Sequence, residues 1–309
     1  MRLIRTGAAN NLHLFLLISC KDFLPSKELL IKEFMKLRQG FVVAISCAAV
    51  GTLTVTHDAY AQSAFAGFYG QVSTGYEGNQ LGTADVTIRN TPNINTDHDI
   101  TAPSQNFGSA PLVLGVGYYW QASEKWLIGV GADYSTLTQT GPSFTTSFRN
   151  AAGSTSIAPG EVTTSDGDSR NLSNRFNLFI TPAYAIDKDK LVYLKAGYSQ
   201  VSIEYNRTSS VTRTINGVST KYPASGGSQT DNYGGFIVGL GYKQIITGGL
   251  YGFAEGNYMS YGSPGYSYNP VLQPSNTARG VTPAGTRVVN TNISSFNSYQ
   301  LLVGVGYAF

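Results

Sequence analysis

The sequence predicts an all-β fold, a single eight-stranded antiparallel barrel that spans a membrane. Three observations lead to this prediction. Large apolar residues alternate with small or polar ones in eight segments, and a period of two is that of a strand. Short and long connections alternate between these segments. Charged residues make up 13% of the chain, well below the roughly 25% of an average soluble domain.

The segment 297–309 shows the alternation most clearly. One face is large and apolar, and it carries Tyr299, Leu301, Val303, Val305, Tyr307 and Phe309. The other is mostly small or polar, and it carries Ser298, Gln300, Leu302, Gly304, Gly306 and Ala308. The first face suits lipid and the second a packed interior. Because open sheet edges do not persist in lipid, the other strands must close the sheet.

Seven further segments have the same pattern: 65–77, 110–120, 126–138, 172–186, 191–205, 233–242 and 250–261. The alternation changes phase near Val201, which indicates either a bulge or a departure from the apolar layer. The motif Gly-x-Gly-Tyr recurs at 115–118, 239–242 and 304–307. Inward glycines let a narrow barrel curve without overfilling its lumen, and outward tyrosines suit the aromatic girdle of a membrane barrel.

The connections are of two kinds. Three are short, at 121–125, 187–190 and 243–249, and four are long, at 78–106, 139–171, 206–231 and 262–295. Loops longer than about 15 residues are uncommon in compact domains. Short periplasmic turns and long extracellular loops are typical of transmembrane barrels. The stretch 85–90 could also extend a strand above the membrane.

The residues before the barrel have the pattern of an export signal. A basic segment and an apolar run too short to span a bilayer precede Ala59 and Ala61, two small residues at alternate positions. This pattern predicts a signal peptide at 35–61 that is cleaved after Ala61. Residues 1–34 are then an upstream extension, with the true start at Met35, and the barrel occupies 62–309.

Both cysteines, Cys20 and Cys47, lie within the leader, so the predicted barrel has neither a disulfide nor a thiolate metal site. A second interpretation of the leader takes Cys20 as a lipoprotein acylation site. Residues 1–61 also hold seven of the 21 Lys and Arg and four of the 18 Asp and Glu, which leaves 14 of each sign in the barrel. A neutral barrel gives no electrostatic support for nucleic-acid binding.

The final strand resembles the terminal strand of bacterial outer-membrane barrels, and Tyr307 and Phe309 match the aromatic pattern that the barrel-assembly machinery recognises in that family. Over 62–309, the strand and loop pattern resembles the OmpA/OmpX/opacity-protein superfamily of eight-stranded outer-membrane barrels. The resemblance implies export to the bacterial outer membrane. It also implies two partners, the membrane lipids and the assembly machinery, and no cofactor.

Four charged residues lie on the predicted inward face: Asp133, Arg175, Lys195 and Glu255. Charges inside a narrow barrel must be paired or hydrated. We interpret these four as a lumen charge network that plugs the barrel, and the alternative is a gated path for small ions. Glu77 and Glu204 lie near the predicted strand ends, and we expect both to be solvated.

His98 is the only histidine after the leader, and it lies between Asp97 and Asp99 on the first long loop. Adjacent residues of an extended chain point to opposite sides, so these aspartates are poorly placed to orient the imidazole of a catalytic histidine. We therefore predict no catalytic residue. A weak divalent-cation site is one interpretation, but a solvated loop is the simpler one, and no metal site is predicted.

The resulting functional hypothesis is a non-enzymatic outer-membrane protein. Its loops would bind a host or environmental partner, or the barrel would stabilise the membrane. The fourth long loop carries Tyr266, Tyr268, Arg279 and Arg287, and Tyr and Arg are enriched at binding hot spots. The alternatives are a narrow channel for small ions or solutes and an outer-membrane enzyme.

Overall fold

Eight strands form a closed antiparallel ring in the computed structural model, which describes residues 63–91, 97–153, 155, 157, 159–224, 226–268, 271–272, 275–277, 280–282 and 285–309. The predicted upstream extension, the predicted signal peptide with Ala59 and Ala61, and Cys20 lie outside the described residues. No helix in the part of the chain that the structure describes is long and apolar enough to cross a membrane.

We label the eight strands of the ring in chain order. They are β1 (Gly67–Leu81), β2 (Leu112–Gln121), β3 (Trp126–Ser135), β4 (Glu161–Asp187), β5 (Lys190–Arg207), β6 (Gly227–Thr247), β7 (Leu250–Ser260) and β8 (Phe296–Ala308). Each pairs antiparallel with the next, and β8 closes the ring on β1 with Val305 opposite Val72. The predicted eight-stranded barrel is confirmed, and its closure removes the open edges that lipid would not tolerate.

The outer face of the ring is apolar, as predicted. Leu194, Leu240 and Leu301 have exposed fractions of 61%, 66% and 65%, which suits contact with hydrocarbon rather than water. Aromatic residues gather at the end of the barrel with the short turns, where the ring of Tyr118 lies 4.7 Å from those of both Phe68 and Trp120. This arrangement is the aromatic girdle expected at a membrane surface.

The inward glycines make room for aromatic rings on the neighbouring strands. Gly241 pairs with Tyr193, and a Cβ atom at this glycine would lie 2.2 Å from the tyrosine ring. Gly306 pairs with Tyr251, and a Cβ atom at Gly306 would lie 2.4 Å from the tyrosine ring. The recurring Gly-x-Gly-Tyr motif therefore serves the lumen as well as the outer surface, since the second glycine of each motif accommodates a tyrosine ring that fills the barrel.

The lumen is filled in three layers. The layer at the turn end is aromatic and contains Tyr69, Tyr119, Tyr193, Tyr251 and Phe253. The middle layer is polar. The outer layer is apolar and contains Leu81, Val201, Ile203, Ile237, Met259 and Phe296. The phase change near Val201 reflects this outer layer, because inward side chains become apolar there. A register shift also occurs at this point, opposite Asn174 on β4, which has a φ of 51°.

The long connections are themselves built of strands. These are Ala84–Thr91, His98–Ala102, Gln105–Ser109, Gln139–Thr140, Phe144–Asn150, Ser210–Ile215, Val218–Pro223, Gly265–Tyr268, Val271–Leu272, Ser275–Thr277, Gly280–Thr282 and Gly285–Ile293. The stretch 85–90, which was expected to extend a barrel strand, instead lies in a separate strand, Ala84–Thr91. The predicted short connection 243–249 is largely wrong, because β6 continues to Thr247.

Strands from all four long connections and the outer part of β4 form one sheet, which we call the crown. Gly285–Ile293 pairs with Ala84–Thr91, which pairs with His98–Ala102. The order continues through Phe144–Asn150 and β4 to the hairpin Ser210–Pro223. The connections therefore satisfy their backbone hydrogen bonds with one another beyond the membrane-facing wall.

Candidate functional site

The middle layer of the lumen is centred on Lys195. Its Nζ donates hydrogen bonds to Asp133 Oδ2 at 2.6 Å and to Glu255 Oε1 at 2.9 Å, and all three side chains are buried. Neutral donors serve the remaining carboxylate oxygens: Asn177 Nδ2 to Asp133 at 2.5 Å and Tyr193 Oη to Glu255 at 2.6 Å. Three of the four lumen residues singled out in the sequence therefore meet around one ammonium group.

Arg175, the fourth, forms a separate buried ion pair with Glu77. Its guanidinium also donates to Asn79 Oδ1 at 3.1 Å and to Ser298 Oγ at 3.0 Å. The expectation that Glu77 is solvated was wrong, since its side chain has no exposed surface. β1 continues four residues past Glu77, so this carboxylate lies inside the barrel rather than at a strand end.

Two amide side chains join these two ion-pair centres. Asn257 Nδ2 donates to Glu255 Oε1 at 2.7 Å and to Gln300 Oε1 at 3.2 Å. Gln300 Nε2 then donates to Glu77 Oε2 at 2.6 Å. One hydrogen-bonded network therefore crosses the lumen between the aromatic and apolar layers. An eight-stranded barrel has room for little more than its own side chains, and this network occupies that room.

Lys243 is a lumen cation that the sequence reasoning missed. Its Nζ lies 3.9 Å from the centre of the Tyr69 ring and donates to Gln71 Oε1 at 3.1 Å. Four more rings lie within 6.0 Å of it: those of Tyr119, Tyr193, Tyr251 and Phe253. It forms no ion pair with a carboxylate of the described residues. Lys243 lies two residues after the inward-facing Gly241, so extending the inward alternation of β6 by one step would have placed Lys243 in the lumen.

His98 occupies a strand of the crown, where its ring lies 5.7 Å from that of Phe148. Its two aspartate neighbours have structural contacts of their own. Asp99 pairs with Arg89 at 2.8 Å, and Asp97 Oδ1 accepts the backbone N–H of Asn90 at 2.6 Å. Among the described residues, no group of three or more His, Cys, Asp and Glu could hold a metal ion.

The residues of the fourth connection contribute unequally to the described crown. Arg287 Nε donates to Asn90 Oδ1 at 2.8 Å and so joins the fourth connection to the first. Tyr266 and Tyr268 lie in the strand that pairs with Gly285–Ile293. Arg279 lies outside the described residues. The binding role expected of these four residues remains a prediction.

Asp168 joins three parts of the crown and is buried. Its carboxylate accepts hydrogen bonds from Thr146 Oγ1 at 2.9 Å, from Tyr205 Oη at 3.1 Å and from the backbone N–H of Thr208 at 2.9 Å. Burial raises the pKa of the Tyr205 phenol, which remains a hydrogen-bond donor at neutral pH. The second connection, β4 and the start of the third connection are therefore held together by one side chain.

A closed ring with an apolar outer face and a filled lumen has the architecture of a transmembrane β-barrel. The ring itself confirms the predicted resemblance to small eight-stranded barrels of this class. No protein-family model and no curated protein matches the sequence.

Several solved structures resemble the fold. The attachment invasion locus protein Ail of Yersinia pestis is 10% identical, with a TM-score of 0.33 over 79% of this chain and 99% of that one. OprG of Pseudomonas aeruginosa is 12% identical, with a TM-score of 0.37 over 80% of this chain and 98% of that one. The outer-membrane protease OmpT of Escherichia coli is 10% identical, with a TM-score of 0.40 over 79% of this chain and 97% of that one. Such weak similarities do not indicate a shared activity.

Proposed function

We propose that this protein is a non-enzymatic outer-membrane barrel whose crown binds a partner from the host or the environment. The observation that carries the proposal is that all four long connections share one hydrogen-bonded sheet. Ordering connections of this length has a large conformational-entropy cost. A surface that is already ordered before binding loses less entropy when a partner arrives, and loops on rigid scaffolds commonly carry recognition.

The filled lumen supports binding rather than conduction as the main role. Lys195, Asp133 and Glu255 meet in the middle layer with almost no exposed surface. An aromatic layer and an apolar layer lie on either side of them. We expect the purified wild-type barrel to pass no sugar-sized solute in liposome-swelling assays, and a large stable conductance in planar bilayers would favour the channel alternative.

A whole-cell binding screen with and without the protein tests the crown hypothesis. Shortening the connection 262–295 should leave a folded, heat-modifiable barrel but remove binding. Removal of the hairpin Ser210–Pro223 is a gentler second variant, because this hairpin forms one end of the crown sheet. Replacing the exposed turn residue Lys188 with Ala is the matched control. Two folded crown variants that keep every binding phenotype would contradict the proposal.

We also infer that Tyr307 and Phe309 form the assembly signal. β8 closes the ring on β1, and the Phe309 side chain is 79% exposed beside the ring of Tyr307, at 5.0 Å. Deleting Phe309 should lower the yield of heat-modifiable barrel in the outer membrane, whereas Phe309→Trp should preserve it. Normal assembly of the deletion variant would argue against this role. Mass measurement of the exported protein tests cleavage after Ala61.

A further inference from the structure

A cavity lies at the turn end of the barrel, between the turn that precedes β3 and the turn that follows β4. Its volume is about 300 Å³, at the lower end of the roughly 300–1,000 Å³ typical of small-molecule sites. Ser63 and Ala185, both buried, line it together with Ile186 and charged residues of the two turns. The backbone N–H of Ala185 donates to the oxygen of Lys125 at 2.7 Å, so the first turn is held against the end of β4.

The cavity is adjacent to the aromatic girdle at this end of the barrel. Trp126 directly follows Lys125, and its ring lies 5.2 Å from that of Tyr184, which precedes Ile186 by two positions. Ile186 continues the lipid-facing row of β4 and is 48% exposed. Aromatic girdles lie at the level of the lipid headgroups. The cavity therefore faces headgroups, and its apolar side faces the start of the acyl chains.

Two neighbouring side chains of opposite charge are available in the cavity. Glu124 and Lys125 form no ion pair with each other or with any other described residue. Lys125 Nζ lies 5.9 Å from the centre of the Tyr184 ring, on the side of the girdle. One free anion and one free cation beside each other suit a ligand that carries one charge of each sign.

The other two charged side chains of the lining already have partners. Asp187 accepts a hydrogen bond from Lys190 Nζ at 2.9 Å, and it also accepts the backbone N–H of Asp189 at 2.9 Å. Lys188 Nζ lies 3.9 Å from the Asp189 carboxylate, and its side chain is 84% exposed. The second turn therefore balances its own charges, and the charge preference of the cavity depends on the first turn.

We propose that this cavity binds the zwitterionic headgroup of phosphatidylethanolamine, with the phosphate at Lys125, the ammonium at Glu124 and the acyl chains leaving along Ile186. Lysine binds phosphate as a point charge, and an ammonium group donates charge-assisted hydrogen bonds to a carboxylate. The site lies at the opposite end of the barrel from the crown. It stands or falls independently of partner recognition by the crown.

Three probes separate the phospholipid from its parts. Dihexanoylphosphatidylethanolamine is the ligand, dihexanoylphosphatidylglycerol keeps the chains and phosphate without the ammonium, and glycerophosphoethanolamine keeps the headgroup without the chains. Each is titrated into the full barrel in dodecyl maltoside micelles, which contain no phosphate. The readout is the amide chemical shifts of residues 124–126 and 185–188.

Phosphatidylethanolamine should give saturable shifts. Phosphatidylglycerol should bind about fivefold more weakly, the effect of losing one exposed charge pair. The soluble headgroup should bind more weakly still, because it buries no acyl surface. Equal affinity for the two lipids would indicate an anion site, and equal affinity for the soluble headgroup would indicate a ligand that is not a lipid. No saturation with any probe would indicate a solvated turn. Each of these three results would overturn the proposal.

Two glutamine variants assign the two charges of the headgroup. Glu124→Gln should weaken binding of phosphatidylethanolamine about fivefold but should not weaken binding of phosphatidylglycerol. Lys125→Gln should weaken binding of both lipids about fivefold. Lys221→Gln is the matched control for lipid binding, because Lys221 is an exposed lysine in the crown. It should bind both lipids like the parent. Unchanged phosphatidylethanolamine affinity in a heat-modifiable Glu124→Gln or Lys125→Gln barrel would refute the site, even if whole-cell binding were intact.

Discussion

The lumen and the crown accommodate their charges in different ways. In the lumen, Lys195 and its two carboxylates are almost completely buried and hydrogen-bonded. In the crown, Arg89 and Asp99 form an ion pair that is 40% and 33% exposed, the Arg213 side chain of a second ion pair, with Glu161, is 21% exposed, and Asp231 forms no ion pair with a described cation. Water can compensate an imperfect pair in the crown but not in the lumen. The lumen is therefore suited to closure and stability, and the crown to exchange of contacts with a ligand.

The largest predicted effect comes from removing the central cation of the lumen. Lys195→Met leaves Asp133 and Glu255 buried without a positive charge between them, which should cost about 3–5 kcal/mol of unfolding free energy. Reversible urea unfolding in lipid vesicles measures this loss. Lys188→Met, in a turn where the side chain is 84% exposed, should change stability by less than about 0.5 kcal/mol. A Lys195→Met barrel as stable as the parent would show that lumen pairing does not stabilise the fold.

Neutralising the whole cluster should cost less than removing the lysine alone. The triple variant Lys195→Met, Asp133→Asn, Glu255→Gln leaves no uncompensated charge, and replacing buried ion pairs by neutral groups is often nearly neutral. We expect it to recover at least about 2 kcal/mol of the loss caused by Lys195→Met. The same urea experiment checks this. If the triple variant is less stable than the single one, specific hydrogen bonds rather than charge balance dominate the lumen.

Lys243 tests whether every lumen cation is equally important. Lys243 contacts aromatic rings and Gln71 rather than a carboxylate. The variant Lys243→Met therefore leaves no buried carboxylate without a positive partner. The lost cation–π energy is about 2 kcal/mol or less, and relief of the buried charge offsets part of it. We expect a net cost below about 1 kcal/mol, measured as for Lys195→Met. If Lys243→Met and Lys195→Met lowered the unfolding free energy equally, the distinction between the aromatic layer and the polar middle layer would not hold.

The alternation of residues predicted the wall, its two faces and its closure, because each lipid-facing strand repeats the same chemical contrast. It did not predict where strands end. β1 reaches Leu81 and β6 reaches Thr247 through polar residues, since pairing with neighbouring strands continues there. Glu77 and Lys243 were misplaced for this reason.

The crown depends on pairing between segments far apart in sequence, such as Asn90 with Arg287. These connections are rich in Asn, Thr, Ser and Gly and have no apolar periodicity strong enough to reveal such partners. Asp231 illustrates the consequence. Its place beside Ile203 and across from Ile293 follows from the fold of three connections, so no local pattern in the sequence could place it there.

The smallest predicted effect is the pH dependence of local stability around Asp231. Burial raises the folded-state pKa of this carboxyl group above its unfolded value. Between the two values the folded state therefore binds more protons, so stability falls as pH rises through this window. Asp231→Asn has no such titration. At pH 7 it should protect the outer part of β6 slightly more than the parent does, whereas at pH 3 the two should be equal.

Amide hydrogen exchange at residues 228–234 measures this local stability, since the crown can open without unfolding of the barrel. Asp166→Asn should show no such pH-dependent gain, because it accepts a hydrogen bond from Thr145 in an exposed position. If Asp231→Asn were less protected than the parent at pH 7, an unseen cation would already compensate the carboxylate. The contrast between the paired lumen carboxylates and Asp231 would then fail.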